Sequence, residues 1–215
     1  MAGDGRPDEF GPEDGTRTER RRSGRVERAG RPRMDDLSGR RPSNWRAVAE
    51  ADVAVSHETL SGIVDGTSPR GDVLTVSELA GVMGAKRTAE LIPLTHAQTL
   101  TELLVKAVPD RAGSLVRITA ETSALGLTGV EMEAMTAASV AALALYDMVR
   151  DGDPAAAIGG VRLVSRSGGE TPSWERPASP EPRFQQKPPR GARVAGRIAA
   201  GPRPGGRGPA RRPDR

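Results

Sequence analysis

The chain of 215 residues contains no cysteine, two histidines and few aromatic side chains. Without cysteine it has no disulfide, no thiolate nucleophile and no cysteine-ligated zinc or iron–sulfur centre. His57 and His96 are its only histidines, which argues against a histidine-rich metal site. An aromatic content of 2% and a hydrophobic content of 36% are low for a fully packed chain of this length. We therefore expect one domain with long tails, and no metal site.

The net charge of +4 is unevenly distributed. Residues 1–33 carry a net charge of +2 and residues 177–215 a net charge of +8, which leaves −6 for the middle of the chain. Both terminal segments have too few large apolar side chains to offset the entropy of ordering. We expect disordered tails over 1–33 and 171–215, around a folded domain over 34–170.

The tails also bear on location and partners. The N-terminal segment has no apolar run of the kind that a secretory signal peptide contains, so a cytoplasmic location is predicted. The arginines of the C-terminal tail can attract the phosphate backbone of a nucleic acid. Its single aromatic residue, Phe184, offers almost no surface for stacking bases, so we favour a solvated tail over nucleic-acid binding.

The middle segment alternates between strand and helix patterns. Val53 and Val55 alternate with polar residues and indicate a strand, which is followed by a short helical turn at 58–64. Further strands are predicted over 99–108, 114–121 and 161–163, and the two main helices over 73–91 and 128–150. The order strand, helix, strand, strand, helix, strand is that of the split βαβ arrangement. The sequence therefore predicts an α+β fold of the ferredoxin-like class.

Start and stop signals delimit the two main helices. Thr75 with Glu78, and Thr128 with Glu131, have the spacing of capping boxes. Pro93 is expected to end the first helix. Both helices are therefore predicted to begin at a side-chain cap.

The second main helix carries no charge between Ala134 and Tyr146. That run is too short to cross a bilayer, and a helix that is apolar all round is buried on several sides, for example between a sheet and a second subunit. Glu133 and Asp147 lie within roughly 40° of each other around this helix but about 21 Å apart along it. One small-molecule site can use both only if a partner helix packs antiparallel across a two-fold axis.

Charged and polar residues gather at the ends of the predicted elements. They are Arg70 to Asp72, Lys86 to Thr88, Leu94 to His96, Gly129 to Glu133, Tyr146 to Arg150, and Arg166. Each group taken alone has an ordinary structural explanation, such as helix-dipole complementation by Lys86 or an i,i+3 surface pair of Asp147 with Arg150. Together they predict a cation-rich cleft for phosphates and name no reaction.

Three runs carry a more specific signal: RGDVLTVSELAGVMGAKRTAELIPLTH at 70–96, TGVEMEAMTAASVAALALYDM at 128–148 and IGGVRLVSRSGG at 158–169. Together with the weaker match MDDLS at 34–38, they resemble the MoaC family of cyclic pyranopterin monophosphate synthases, which act in molybdenum-cofactor biosynthesis. The resemblance implies a ferredoxin-like subunit in a homohexamer, a trimer of dimers with active sites shared across an interface. It implies a lyase that converts (8S)-3',8-cyclo-7,8-dihydroguanosine 5'-triphosphate to cyclic pyranopterin monophosphate with release of pyrophosphate. No metal or organic cofactor is expected.

The resemblance also assigns roles to residues of this chain. Asp147 matches the catalytic aspartate, and Arg70 and Arg150, which stand where the family has lysine, complete the expected catalytic set. The expected substrate-binding residues are Asp36, Lys86, Arg87, Leu94, Thr95, His96, Glu131, Met132, Glu133 and Arg166. Lys86 and Arg87 are expected to bind the triphosphate of this small-molecule nucleotide.

The chain departs from the family pattern by having arginine in place of lysine at positions 70, 150 and 166. It also has Leu127, Thr95 and Ala97 where the family has lysine, cysteine and proline. An arginine binds phosphate well, but its pKa above ~12 prevents it from giving up a proton easily. The chain has three lysines against 29 arginines, so a general drift from lysine to arginine also explains the arginines at 70, 150 and 166, although it does not explain Leu127. Two hypotheses stay open: an active synthase, and a catalytically impaired or altered paralogue that keeps the fold and ligand binding.

Overall fold

The computed structural model describes residues 32–170 and 172–177. The strands are β1 (Ser43–Ala54), β2 (Leu100–Asp110), β3 (Leu115–Gly126), β4 (Ala157–Gly168) and β5 (Trp174–Glu175), and the helices are α1 (His57–Val64), α2 (Val73–Lys86), α3 (Thr88–Leu91) and α4 (Glu131–Val149). The disorder predicted for 1–31 and 178–215 concerns residues outside this description.

The strands form one antiparallel sheet in the order β2-β3-β1-β4-β5. β1 pairs with β3 on one side and with β4 on the other. The helical connection from β1 to β2 therefore passes over β3, and the connection from β3 to β4 passes over β1. This is the split βαβ topology, and the predicted ferredoxin-like α+β fold is confirmed.

Small apolar side chains fill the layer between the sheet and the helices. On β1 every second residue is completely buried, namely Ala47, Ala49, Ala51 and Val53. On α4 the completely buried residues are Ala134, Ala137, Ala138, Ala141, Ala142 and Leu145. Because alanine is short, α4 can lie close against the sheet, which accounts for the uncharged run of its sequence.

α2 packs beside α4 through a glycine and a buried hydroxyl. A Cβ atom at Gly84 would lie 2.8 Å from Cβ of Val140 on α4, closer than carbon atoms tolerate. The completely buried Ser77 donates a hydrogen bond of 2.9 Å to the carbonyl of Ala141. The two helices therefore pack with their backbones near each other.

The first of the two predicted capping boxes is wrong. α2 begins at Val73, and its N-cap is Asp72. The carboxylate of Asp72 accepts hydrogen bonds from the amide of Thr75 at 3.0 Å and from its hydroxyl at 2.6 Å. Glu78 instead accepts a hydrogen bond of 2.9 Å from the amide of Ala107 in β2. An aspartate nearer the turn thus replaces Thr75 as the cap.

The second capping box is wrong as well, and the predicted helix over 73–91 is divided. α4 begins at Glu131, and its N-cap Val130 makes no side-chain hydrogen bond. The helix over 73–91 is interrupted at Arg87, which separates α2 from α3. α3 ends at Leu91, two residues before the predicted stop at Pro93.

β1 is much longer than its sequence pattern indicated. Only Val53 and Val55 suggested a strand, because the buried positions before them are alanines, which have a low strand propensity, with polar residues between them. Two of these, Glu50 and Asp52, lie on the face of the sheet opposite to the helices, where Arg162 of β4 donates hydrogen bonds to them of 2.9 and 2.8 Å. Ion pairing across the strands thus supports a strand that hydrophobic periodicity alone did not reveal.

β5 moves the boundary of the predicted C-terminal tail. Residues from 171 onward were expected to be disordered, yet Trp174 pairs with Arg166 and Glu175 pairs with Ser165 of β4. The amide of Arg176 donates a further hydrogen bond of 2.7 Å to the carbonyl of Val164. Residues 172–177 therefore belong to the folded domain.

Among the described residues, α4 is the one helix that is long and apolar enough to cross a membrane by length and composition. Half of its apolar window, 50%, is buried inside the chain. Glu133 near its start is only 3% exposed. The helix therefore has the burial of a core helix, as the sequence predicted.

Candidate active site

The expected site residues fall into two groups at opposite ends of the helix layer. Arg70 precedes α2 and reaches Asp147 at the end of α4, while Ser77 of α2 contacts Ala141 one and a half turns earlier in α4. The two helices therefore run antiparallel. α4 has 19 residues, so its ends are about 27 Å apart.

The first group is a cluster that we call the arginine–aspartate cluster, made of Arg70, Asp147, Arg150 and Asp151. Nε of Arg150 donates a hydrogen bond of 2.9 Å to Oδ1 of Asp147. NH1 of Arg70 lies 3.5 Å from Oδ2 of the same carboxylate and 3.3 Å from its backbone carbonyl. NH2 of Arg70 also pairs with Asp151. The three expected catalytic residues are thus brought together by direct contact.

The arginine–aspartate cluster holds two permanent cations beside two carboxylates, so its formal charges balance before any ligand binds. The hydrogen bond to Asp147 is the main reason why the pKa of Arg150 is raised above its ordinary value, and the charge of Asp151 adds to it. Both guanidinium groups are about half exposed, at 41% for Arg70 and 48% for Arg150. They can therefore meet the oxygens of a phosphate group from solvent, often with two hydrogen bonds each.

Local backbone structure positions the two arginines. Arg150 is the C-cap residue of α4, and its amide donates to the carbonyl of Tyr146 at 2.9 Å. It therefore follows Asp147 by one turn, on the same side of the helix. Before α2, Gly71 adopts a φ of +87°, which a residue with a Cβ rarely adopts. This turn delivers Arg70 to the end of α4.

The second group lies where α4 begins, and its centre is a pair of glutamates. Glu133 is 3% exposed, and its Oε2 has no hydrogen-bond partner within the described part of the chain. Burial raises the pKa of Glu133, with a smaller contribution from the charge of Glu131. Glu131 lies 3.4 Å from NH1 of Arg166 in β4. The site thus holds one buried carboxyl group with a raised pKa beside one that is paired with a cation.

The loop after α3 contributes the expected residues Leu94, Thr95 and His96. Leu94 has a φ of +64°, and the buried hydroxyl of Thr95 has no partner among the described residues. Nε2 of His96 lies 2.8 Å from the carbonyl of Asp35. This contact holds the N-terminal segment against the loop, and the adjacent Asp36 accepts a hydrogen bond from the amide of Ser38 within that segment.

A cavity of about 230 Å³ opens beside the end of α2. It is lined by Lys86, Gln98, Leu100, Thr101, Glu102 and Leu103. Gln98 lies against Gly126 at the end of β3, where a Cβ would be 2.5 Å from its Oε1. Nε1 of Trp45 donates a hydrogen bond of 3.0 Å to the carbonyl of the same glycine. Lys86 is thus on the same end of the sheet as the start of α4. Within 32–170 and 172–177, Arg87 and Met132 make no side-chain hydrogen bond or ion pair that would define a role.

One member of the arginine–aspartate cluster was missed by sequence reasoning. Asp151 pairs with Arg70 and lies 3.7 Å from NH1 of Arg150. Its position four residues after Asp147 was a usable signal, because residues three or four apart are neighbours on a helix surface. No group of three histidine, aspartate or glutamate side chains within 32–170 and 172–177 is arranged to hold a metal ion.

Comparison with known proteins places this arrangement in a family. Residues 34–169 match the MoaC family. A protein of Chloroflexus aggregans named cyclic pyranopterin monophosphate synthase is 45% identical over 154 residues, which is 72% of this chain and 93% of that protein. Proteins with the same name from Jannaschia sp. and Pelotomaculum thermopropionicum are 44% and 45% identical, over 71% and 70% of this chain and 94% and 89% of their own lengths.

Proposed function

Because the chain belongs to the MoaC family, we propose that it is a cyclic pyranopterin monophosphate synthase of molybdenum-cofactor biosynthesis. It converts (8S)-3',8-cyclo-7,8-dihydroguanosine 5'-triphosphate to cyclic pyranopterin monophosphate and pyrophosphate. The observation that carries the proposal is the contact of both arginines at lysine positions, Arg70 and Arg150, with the carboxylate of Asp147. A cytoplasmic location, where nucleoside triphosphates are made, belongs to the same proposal.

The two groups of residues form one active site only between subunits. Glu133 lies in the first turn of α4, whereas Asp147 lies in its last turn. A second subunit related by a two-fold axis, with its α4 antiparallel to the first, brings the arginine–aspartate cluster of one chain to Glu133 of the other. The resulting dimer has two equivalent sites.

The exposed sides of α2 and α4 carry apolar residues that suit such a contact. Val76, Leu79 and Met83 follow helical spacing on α2 and are 45%, 59% and 46% exposed. Leu143 of α4 is 58% exposed and precedes Asp147 by one turn. We name these four residues the helix-layer patch. Its exposed apolar surface supports a homodimer in which a second copy covers it, and three such dimers would form the hexamer that the family resemblance implies.

In the proposed mechanism the arginines and the carboxyl groups of the site have different roles. The guanidinium groups of Arg70 and Arg150 bind the triphosphate and neutralise the charge that develops when pyrophosphate leaves. They do not transfer protons, because arginine stays protonated. Proton transfer to and from the rearranging ring system therefore falls to the carboxyl groups, with Asp147 from one subunit and Glu133 from the other.

A single-turnover assay tests the proposal. The full chain is mixed in excess with the enzymatically prepared cyclised nucleotide, and both cyclic pyranopterin monophosphate and pyrophosphate are quantified. We expect both products in equal amounts. Bound but unconverted nucleotide would instead indicate the catalytically impaired paralogue. Arg111→Gln, a half-exposed arginine outside both groups, serves as the control for loss of a surface cation.

A further inference from the structure

β5 lies beside the substrate-binding half of the proposed site. Its residue Trp174 is the direct cross-strand partner of Arg166, and Arg166 in turn is opposite Ala47 of β1. Residues directly opposite each other in an antiparallel ladder point to the same face of the sheet. Ala47 is completely buried under the helices, so Trp174 also stands on the helix side, next to the arginine that reaches Glu131.

Trp174 is held in place by contacts on its own strand. The guanidinium carbon of Arg176 lies 5.6 Å from the centre of the indole ring, within the range of a cation–π interaction. Nε of Arg176 donates a hydrogen bond of 2.7 Å to the carbonyl of Leu163, and its amide donates to the carbonyl of Val164. The indole is therefore fixed relative to β4, while its side chain stays only partly buried.

Two glycines bring β5 back onto β4. Gly168 and Gly169 have φ angles of +122° and +62°. A Cβ at Gly168 would lie 2.2 Å from the carbonyl oxygen of Asn44, and one at Gly169 would lie 2.2 Å from the ring of Trp45. Only residues without a Cβ fit this turn. The glycines at the end of the SRSGG sequence thus place Trp174 beside Arg166.

We propose that Trp174 is a substrate-binding residue, whose indole stacks on the planar aminopyrimidinone ring of the nucleotide at the Glu131, Glu133 and Arg166 end of the site. The inference rests on the proposed function. In this arrangement the two parts of the substrate contact different subunits. The ring lies against Trp174 and the glutamates of one subunit, and the triphosphate lies on the arginine–aspartate cluster of the partner. An aromatic side chain suits this position because every base presents a flat face for stacking.

A merely structural tryptophan makes a different prediction. If Trp174 only stabilised the edge of the sheet, any apolar residue of similar size would leave substrate affinity intact. If it stacks on the ring, the aromatic character of the side chain decides the affinity. Trp174→Phe and Trp174→Leu separate the two cases, since both keep an apolar residue in β5.

The test measures the dissociation constant and KM of the cyclised nucleotide with the full chain. We expect Trp174→Leu to raise both by about tenfold or more, Trp174→Phe to restore most of the affinity, and kcat to change much less. The inhibition constant of inorganic tripolyphosphate, which has no ring, should be the same in wild type and Trp174→Leu. Equal nucleotide affinity in the leucine variant, or an equal loss with tripolyphosphate, would overturn the proposal.

Fluorescence gives a readout that does not depend on turnover. The chain has two tryptophans, so Trp45→Phe leaves Trp174 as the only one. We expect the cyclised nucleotide to quench this emission and tripolyphosphate not to do so. If Trp45→Phe does not fold, the difference between wild type and Trp174→Phe gives the same signal. Quenching without product formation would support the stacking role and contradict the proposed reaction, whereas turnover without quenching would do the reverse.

Discussion

Nε of Arg150 donates a hydrogen bond of 2.9 Å to Oδ1 of Asp147, one turn earlier in α4. Arg70, from before α2, approaches the other oxygen of the same carboxylate at 3.5 Å. Asp147 is therefore held by two cations that also face solvent. In the mechanism that we propose, the arginines orient the carboxylate and bind phosphate, and the carboxylate transfers protons.

Asp147→Asn should remove catalysis while leaving binding largely intact. The amide keeps the size of the side chain but no longer accepts a proton, so we expect kcat to fall by about 10² to 10⁴-fold. The nucleotide dissociation constant should change much less, because both arginines remain. Single-turnover kinetics and equilibrium binding on the same preparation measure the two quantities. A variant with near-normal kcat would remove Asp147 from the mechanism.

Substitution of Arg70 or Arg150 by lysine should retain activity, whereas substitution by a neutral residue should not. Lysine supplies a positive charge at the same place, so Arg70→Lys and Arg150→Lys are expected to keep kcat/KM within about tenfold of wild type. Arg150→Gln removes the charge, and we expect a loss of about 10²-fold or more. Arg111→Gln is the matched control. Full activity of Arg150→Gln would contradict an electrostatic role for this residue.

Glu133→Gln should change how stability depends on pH. Because burial raises the pKa of Glu133 above its ordinary 4.5, the folded state holds this proton more tightly than the unfolded state does. The free energy of unfolding therefore falls as the pH rises from the ordinary value through the raised one. Glutamine does not titrate, so the variant lacks this contribution to the pH dependence of the free energy of unfolding.

Urea titrations of wild type and Glu133→Gln between about pH 4 and 8 measure this difference. We expect the variant to gain stability relative to wild type as the pH rises. Glu175→Gln, on exposed β5, controls for loss of a surface carboxylate. Parallel curves for wild type and Glu133→Gln would mean that burial does not hold the proton on Glu133.

Gly84→Ala should destabilise the domain by overpacking the contact between α2 and α4. The new Cβ would lie 2.8 Å from Val140, and we expect a cost of about 1–3 kcal/mol in the free energy of unfolding. Gly62→Ala in α1 is the control, since its Cβ would meet its nearest neighbour at 3.6 Å. There the better helix propensity of alanine should leave stability equal or slightly higher. An unchanged Gly84→Ala midpoint in urea would contradict the close packing.

The sequence predicted the order of the elements because α4 has a long uncharged run and β3 alternates between apolar and polar residues. It did not predict the length of β1, since the buried positions before Val53 are alanines, which have a low strand propensity. The ion pairs of Glu50 and Asp52 with Arg162, 112 and 110 residues away, are also invisible to a local pattern. β5 was missed for a related reason. The residues around it, 171–177, have the polar and proline-rich composition of a tail. Trp174 and Glu175 form a strand because they pair with β4.

The candidate site shows the same limit. The spacing of Asp147 and Arg150 in one helix made their contact predictable. The spacing of Glu133 and Asp147 likewise predicted that they lie at opposite ends of that helix. The contact of Arg70 with Asp147 spans 77 residues and depends on the packing of α2 against α4. No local pattern could reveal it or the placement of Trp174 beside Arg166. Contacts within one element follow from sequence spacing, and contacts between elements require the fold.

The most direct test of the shared site is complementation between two subunit variants. Asp147→Asn and Glu133→Gln, each of low activity alone, are mixed in equal amounts and allowed to exchange subunits. Half of the dimers then pair one of each, and each mixed dimer contains one fully intact site, so we expect about a quarter of wild-type activity. A control that mixes Asp147→Asn with Arg150→Gln should show no increase in activity, because both changes lie in the arginine–aspartate cluster and every site then contains one of them. Activity no higher than that of the separate variants, after confirmed exchange, would contradict a site built from Glu133 of one subunit and Asp147 of its partner.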